Sequence, residues 1–432
     1  MPLILAFAAF FLLATDALNI ELSLMPGLSA KNLVIYLVAV LIALRMVVRR
    51  DSIMAAGQVQ GAFIVQILYA IITMLVAALI IDYPRYGLMD SVFKLKATLI
   101  DQYIFFLVFL FGVRTPDDAL RVIKGLLLGV LCANVVTIMD ALGIIDLGLR
   151  IRNDGRAGGA IGESNQYAAF LVLFLPANIA AAVASRGFQR LFWLGAAFVC
   201  SFALVMTASR GGFVGLAISC FAGAYLYRHL INFGRMAGWA MGGLVVMTVI
   251  VALSPYGGLL AERMIGQTSS TDAFDATSGR SDIWVDLLAV MFQHPITFVT
   301  GYGWDVYWSM PFYFSPHNHY LAVWFNLGLL GLFTSVYLLF STIARARRAT
   351  LHAERPYRGQ LIAFVLGAIG VCAAVFFVDL YKPWYYFWMY CGVMMRLSIC
   401  VNEKTVTESA PALGAVKIQR DLHGWVQPGV HS

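Results

Sequence analysis

Apolar stretches of roughly 20 residues recur from Met1 to about residue 400, and about 20 is the number a helix needs to cross a hydrocarbon layer of about 30 Å. A soluble chain is about half apolar and a quarter charged. This one, of 432 residues, is 61% hydrophobic and 12% charged, with a mean hydropathy of +0.80. No soluble core hides that much apolar side chain, so the sequence predicts an all-α polytopic membrane protein. The net charge of +7 does not point to nucleic acid, because the basic residues sit in short clusters between apolar runs and form no basic domain.

The runs predict about 12 spans, near 3–20, 33–48, 61–81, 97–113, 122–140, 166–184, 191–208, 211–227, 237–254, 320–343, 360–379 and 384–400. The first lacks a basic leader region and a small-residue cleavage pattern, and reads as a retained helix. Taken as one helix, 191–227 would be about 55 Å long, nearly twice the hydrocarbon thickness, so Ser209-Arg210-Gly211-Gly212 must turn at a membrane face. The six cysteines all fall in or at the end of apolar runs and form no metal or disulfide framework. The chain divides into 1–254 with nine spans, a long loop at 255–318 between spans nine and ten, 319–400 with three spans, and a tail at 401–432.

An even number of spans puts both termini on one side. Arginine and lysine cluster on that side, as at Arg49-Arg50 and Arg345 to Arg348, which makes the termini cytoplasmic and the long loop periplasmic in a bacterial inner membrane. Lys31, Arg85, Lys94, Lys96, Arg150, Arg152, Arg156, Arg210, Arg263, Arg280 and Lys382 stand outside against that rule. Some are ordinary solvated charges, but arginines gathered there suit an anion, since guanidinium binds phosphate bidentately. Asp16 and Asp140, near helix ends, read as structural.

Within the long loop, Gly266 to Gly279 is rich in Ser, Thr, Asp and Gly. After it, an N-cap at Ser281 and apolar residues at Ile283, Trp284, Leu287, Leu288, Met291 and Phe292 predict an amphipathic helix in the membrane interface, ended by His294-Pro295. Tyr302, Trp304, Tyr307, Trp308, Phe312, Tyr313 and Phe314 then crowd together, as a sugar-stacking surface or as an interfacial aromatic belt.

Four short constellations converge on the outer face: Gly162-Glu163-Ser164-Asn165-Gln166, Ser209-Arg210-Gly211-Gly212, Ser278-Gly279-Arg280-Ser281-Asp282-Ile283-Trp284, and Pro316-His317-Asn318-His319-Tyr320-Leu321. In this order, over about residues 150–345, the sequence resembles the O-antigen ligase family, which shares a membrane domain with O-antigen and exopolysaccharide polymerases and with protein O-oligosaccharyltransferases. His317, Asn318, Leu321, Gly328 and Gly331 fit its His-Asn-x-x-Leu and Leu-Gly-x-x-Gly pattern. Many relatives carry an acid where Asn326 stands, so no role of that acid transfers.

The resemblance implies transfer of a glycan from undecaprenyl diphosphate to an acceptor hydroxyl, lipid A-core in a ligase, and residue chemistry agrees. A diphosphate leaving group needs its charge neutralised more than it needs a proton. The outer side has no D-x-D for a divalent metal, so the expectation is a transfer without metal or cofactor, with Arg210 and Arg280 catalytic and Arg152 and Arg156 as helpers. His317 is the expected general base, with Asn318, His319, Tyr320 and Asn165 on the substrate. A polymerase, a protein O-oligosaccharyltransferase, or a transporter of lipid-linked sugars are the alternatives; the chain shows no duplicated halves of the kind transporters carry. Reporter fusions at Arg190 and Arg348 should give cytoplasmic signals, and one near Ser270 an outer signal; a cytoplasmic signal at Ser270 would invert the orientation.

Overall fold

The computed structural model describes residues 1–20, 23–25, 27–49, 54–147, 156–159, 161–230, 242, 249, 252, 256–261, 280–312 and 315–423. Among these, eight helices are long and apolar enough to cross a membrane, and two shorter apolar helices accompany them. The helices are α1 (Pro2–Ala17), α2 (Ala30–Arg49), α3 (Gly57–Ile81), α4 (Leu88–Gly112), α5 (Pro116–Ala141), α6 (Ser164–Ala184), α7 (Gly187–Met206), α8 (Arg210–Leu226), an amphipathic α9 (Arg280–Gln293), α10 (His319–Ala349), α11 (Arg355–Ala374) and α12 (Lys382–His423). A two-residue-wide hairpin, Ser23–Met25 with Leu28–Ser29, is the only sheet among the described residues. The reading of an all-α polytopic membrane protein stands, while the expected span at 237–254 and the segment Gly266 to Gly279 lie outside the described residues.

Several boundaries follow from local chemistry. Thr115 caps α5 with a reciprocal box: its hydroxyl accepts from the Asp118 N–H at 3.1 Å and the Asp118 carboxylate accepts from the Thr115 N–H at 3.4 Å. The fourth span starts at Leu88, well before the expected 97, because a π-helical stretch at Lys96–Ile100 carries the helix through its basic residues. The span expected to reach 379 instead ends at Ala374. Val375, Phe376, Phe377 and Val378 continue the apolar run into a loop, so hydropathy ran past the helix end.

In the bundle, α6 lies between α7, α8 and α11, while α1 packs along α5 and α12 along α4. Small residues let backbones approach, as membrane helices require in the absence of a hydrophobic force between them. A Cβ on Gly215 of α8 would stand 2.6 Å from the carbonyl oxygen of Gly370 on α11.

The long helix α10 breaks at Gly328, whose φ of 62° and ψ of −164° leave the helical region. The stretch after it, 329–349, is about 31 Å long and spans on its own. The break admits a strand-like segment: Tyr302 N–H donates to Phe325 O and Gly303 N–H to Asn326 O, both at 2.9 Å. A Cβ on Gly328 would meet Val299 O at 2.2 Å, and one on Gly301 would meet Asn326 O at 2.4 Å. Both glycines also have positive φ. Asn326 completes the crossing, accepting from Tyr307 N–H at 3.1 Å and donating to Ala322 O at 2.9 Å.

Gly328→Ala should therefore destabilise the protein by about 2 kcal/mol or more, since it adds backbone strain to a clash with main chain. Thermal melting in detergent checks this against Gly195→Ala on α7, where nothing lies within 4 Å of the added carbon. Equal melting of the two variants would show that the crossing is not fixed by glycine.

Candidate active site

Three irregular segments meet at one end of the bundle. The turn before α8 is the first. Ala208 has a positive φ of 44°, and Ser209 caps the helix by accepting from Gly212 N–H at 3.3 Å while donating to Asn165 Oδ1 at 2.8 Å. Arg156 braces the same turn, its Nε donating to Thr207 O and its terminal nitrogen to Asn165 Oδ1, both at 2.9 Å. Asn165 and Arg156 thus hold Arg210 in place at the start of α8. Arg152 lies outside the described residues.

The second segment is 315–319. Trp284 on α9 donates its indole N–H to Pro316 O at 2.8 Å, which docks the helix that begins with Arg280. Sequence placed the N-cap of that helix at Ser281; the helix already includes Arg280 and ends at Gln293, before His294-Pro295 as expected. Asn318 is the N-cap of α10, its Oδ1 accepting from Leu321 N–H at 3.1 Å. His317 has a positive φ of 49° and is half-buried. Tyr320 donates to Cys372 O at 2.9 Å and His319 N–H to Val375 O at 3.0 Å, tying this segment to the third, 375–381.

That third segment carries a residue which sequence reasoning missed. Asp379 is 7% exposed; it accepts from the Ser315 hydroxyl on one oxygen, while Oδ1 is buried with no hydrogen-bond partner among the described residues. Burial pushes its carboxyl up to about 6, against the pull of Ser315, the His317 backbone N–H and the Arg280 charge. Asp379 therefore binds the segment that leads into α10 and lies within the field of Arg280 on α9. The Arg210 turn adjoins this segment, since a Cβ on Gly211 would lie 2.8 Å from Phe377 Cβ. Tyr381 donates its N–H to Gln166 Oε1 at 3.4 Å, and its hydroxyl is pushed up to about 12 by burial and then by Asp379, with Glu163 and Asp305 adding to it.

Beside these segments lies a cavity of about 810 Å³ whose walls include Asp379, Tyr381, Lys382, Pro316 and His319 on one part and Lys94, Trp304, Asp305 and Trp308 on another. It continues between α3, α4, α10 and α12 to Gln66, Ser335, Leu338 and Trp388. His319 belongs to its wall, with its ring 5.2 Å from that of Trp384. The basic residues expected outside separate by partner. Lys31 of α2 pairs with Asp16 of α1, Lys94 with Asp305 at 3.0 Å and Lys96 with Asp101 of its own helix at 2.8 Å, so these lysines are engaged by aspartates, while Arg210 starts α8 and Arg280 starts α9.

The O-antigen ligase family model matches residues 195–336, which takes in Arg210, Arg280 and His317 but not Asn165 or Asp379. The chain is also similar to the O-antigen ligase of Salmonella typhimurium (strain LT2), 26% identical over 214 residues, 45% of this chain and 50% of that protein. It thus spans about half the length of the curated relative it matches.

The Asp379 carboxyl holds its proton up to about 6 in the fold against a usual 3.8, so its ionised form opposes folding and the wild type gains stability as pH falls through about 6. The two-unit rise corresponds to about 3 kcal/mol. Asp379→Asn should melt higher than the wild type at about pH 8, and the gap should narrow as pH falls through about 6 and close only near the usual 3.8. A gap that does not change with pH would mean that the carboxyl titrates in its ordinary range.

Proposed function

We propose, from the chain's membership of the O-antigen ligase family, that it transfers a glycan from an undecaprenyl diphosphate carrier to a hydroxyl of a lipid A-core oligosaccharide at the periplasmic face of the inner membrane. Twelve spans with cytoplasmic termini complete this reading. The observation that carries it is the meeting of the Arg280 helix, the His317 segment and Asp379 beside a cavity that descends between membrane helices. A lipid-linked diphosphate has this shape, an anionic head at an interface and an apolar tail in the bilayer. Similarity to the Salmonella O-antigen ligase favours a ligase over a polymerase.

In this reading Arg280 and Arg210 bind the diphosphate and neutralise the charge that grows on it as the glycosidic bond breaks. Arginine does here what a divalent cation does in other glycosyltransferases, so no metal or cofactor is required. His317 takes the proton of the acceptor hydroxyl as the new bond to the anomeric carbon forms. Asp379 positions rather than reacts: it holds the Ser315 hydroxyl, whose oxygen accepts from the His317 N–H at 3.4 Å, and it lies within the field of Arg280. Asn165 and Arg156 hold the Arg210 turn, Asn318 and Tyr320 hold the start of α10, and His319 shapes the cavity wall. Arg152 remains a helper on the donor.

The test uses purified protein, lipid-linked donor and core acceptor in the presence of chelator. Arg280→Ala and Arg210→Ala should each lose about 10²-fold or more in turnover, and Arg280→Lys should stay impaired because an ammonium cannot bind bidentately. His317→Ala should lose about 10²-fold with donor binding retained, and His319→Ala less. Full activity in an alanine variant removes that residue from the mechanism. A dead His319→Ala beside an active His317→Ala moves the base by two residues, and a strict requirement for added Mg²⁺ or Mn²⁺ overturns transfer without metal.

A further inference from the structure

The second part of the cavity wall has a construction of its own. Segment 301–309 is clamped to the start of α4 by four contacts: Tyr86 OH donates to Trp304 O at 2.6 Å, Trp304 Nε1 to Ser91 O at 3.2 Å, Lys94 Nζ to Asp305 Oδ1 at 3.0 Å and Ser91 Oγ to Asp305 Oδ2 at 3.3 Å. A clamp of that kind does not need what else is present. Asp305 keeps a left-handed backbone, φ 62°, in a segment where Gly301 and Gly303 take the other positive φ values; a side chain retained at such a position points to use of that side chain. Its carboxylate, with two hydrogen bonds, has room for about two more. Trp308 is 48% exposed although it lines a cavity, and the Lys94 ammonium stands 5.5 Å above its ring.

An indole face, a carboxylate with spare lone pairs and an ammonium within one short segment match the surface of a pyranose. Its C–H face stacks on aromatic rings, and vicinal hydroxyls donate to the carboxylate and accept from the ammonium. The same group suits a diphosphate poorly, because Lys94 is already neutralised by Asp305 and the carboxylate repels an anion. We propose that Trp304, Asp305, Trp308 and Lys94 form the subsite for the acceptor glycan, on the wall of the cavity that Asp379, Tyr381 and Lys382 also line. Asp305, Tyr381 and Asp379 line the same cavity, so a sugar held at Asp305 shares it with the Asp379 segment. The assignment rests on the transfer reading above.

The experiment measures transfer by purified wild type, Asp305→Asn and Trp308→Ala, varying the core acceptor at saturating donor and the donor at saturating acceptor, with calorimetric binding of core oligosaccharide freed of lipid A. Asparagine tolerates the left-handed backbone and Trp308 is exposed, so both variants should fold. The acceptor KM and the Kd of the oligosaccharide should rise about tenfold or more, with kcat and the donor KM changing less than about threefold. Unchanged acceptor KM and oligosaccharide Kd overturn the subsite. A rise in donor KM alone assigns the wall to the donor glycan instead. Absence of transfer by the wild type sinks the transferase reading, and the acceptor assignment falls with it.

Discussion

A carboxyl group that has lost its water organises the active end of this bundle. Asp379 sits where α11 has already ended and α12 has not begun, and nothing on its own segment compensates its burial. Its partners come from elsewhere in the chain: a serine and a backbone N–H from the segment before α10, and the charge of an arginine at the start of α9. In a low dielectric such an arrangement is exacting, because a half-satisfied buried charge penalises every displacement of the groups that remain. The cost holds three segments in register, and it explains why the base proposed for the reaction and the proposed phosphate clamp share a neighbour.

Irregular backbone at membrane depth is tolerated only where it is enclosed by protein or faces a cavity. The crossing of 299–303 with 325–328 obeys that constraint, since main-chain groups freed by the break at Gly328 are taken up by Tyr302 and Gly303. It also sets the direction of the aromatic segment that follows. Residues 304–308 leave the crossing toward α4 and line the cavity together with residues of the segment 375–381. Two parts of one cavity wall are thereby built by different means, one around a strained carboxyl and one around a lysine–aspartate clamp.

Much of the frame was legible in the sequence because it depends on local pattern. Apolar runs gave the helices, Ser209 to Gly212 gave the turn, and His294-Pro295 gave the end of α9. What escaped depends on partners. Asp379 follows four apolar residues, Val375 to Val378, and read as the edge of a span. The break at Gly328 looked like continuous helix, because what requires it is a segment some 25 residues earlier that crosses it. Arg156 read as a helper on the donor, although two of its hydrogen bonds serve the turn before α8.

The outer basic residues show the limit most clearly. Counting charges by side orients a membrane protein, since orientation responds to total charge near the helix ends. It does not separate a lysine that joins two helices from an arginine that meets a substrate, because that difference lies in what stands opposite. Lys31, Lys94 and Lys96 each face an aspartate, and two of these aspartates, Asp16 and Asp101, also bond tyrosines of neighbouring helices. A compact ammonium on a flexible stem suits such single-point junctions. Arg280 lies within the field of the Asp379 carboxyl, and a planar guanidinium with five donors can serve one anion while presenting donors to a second.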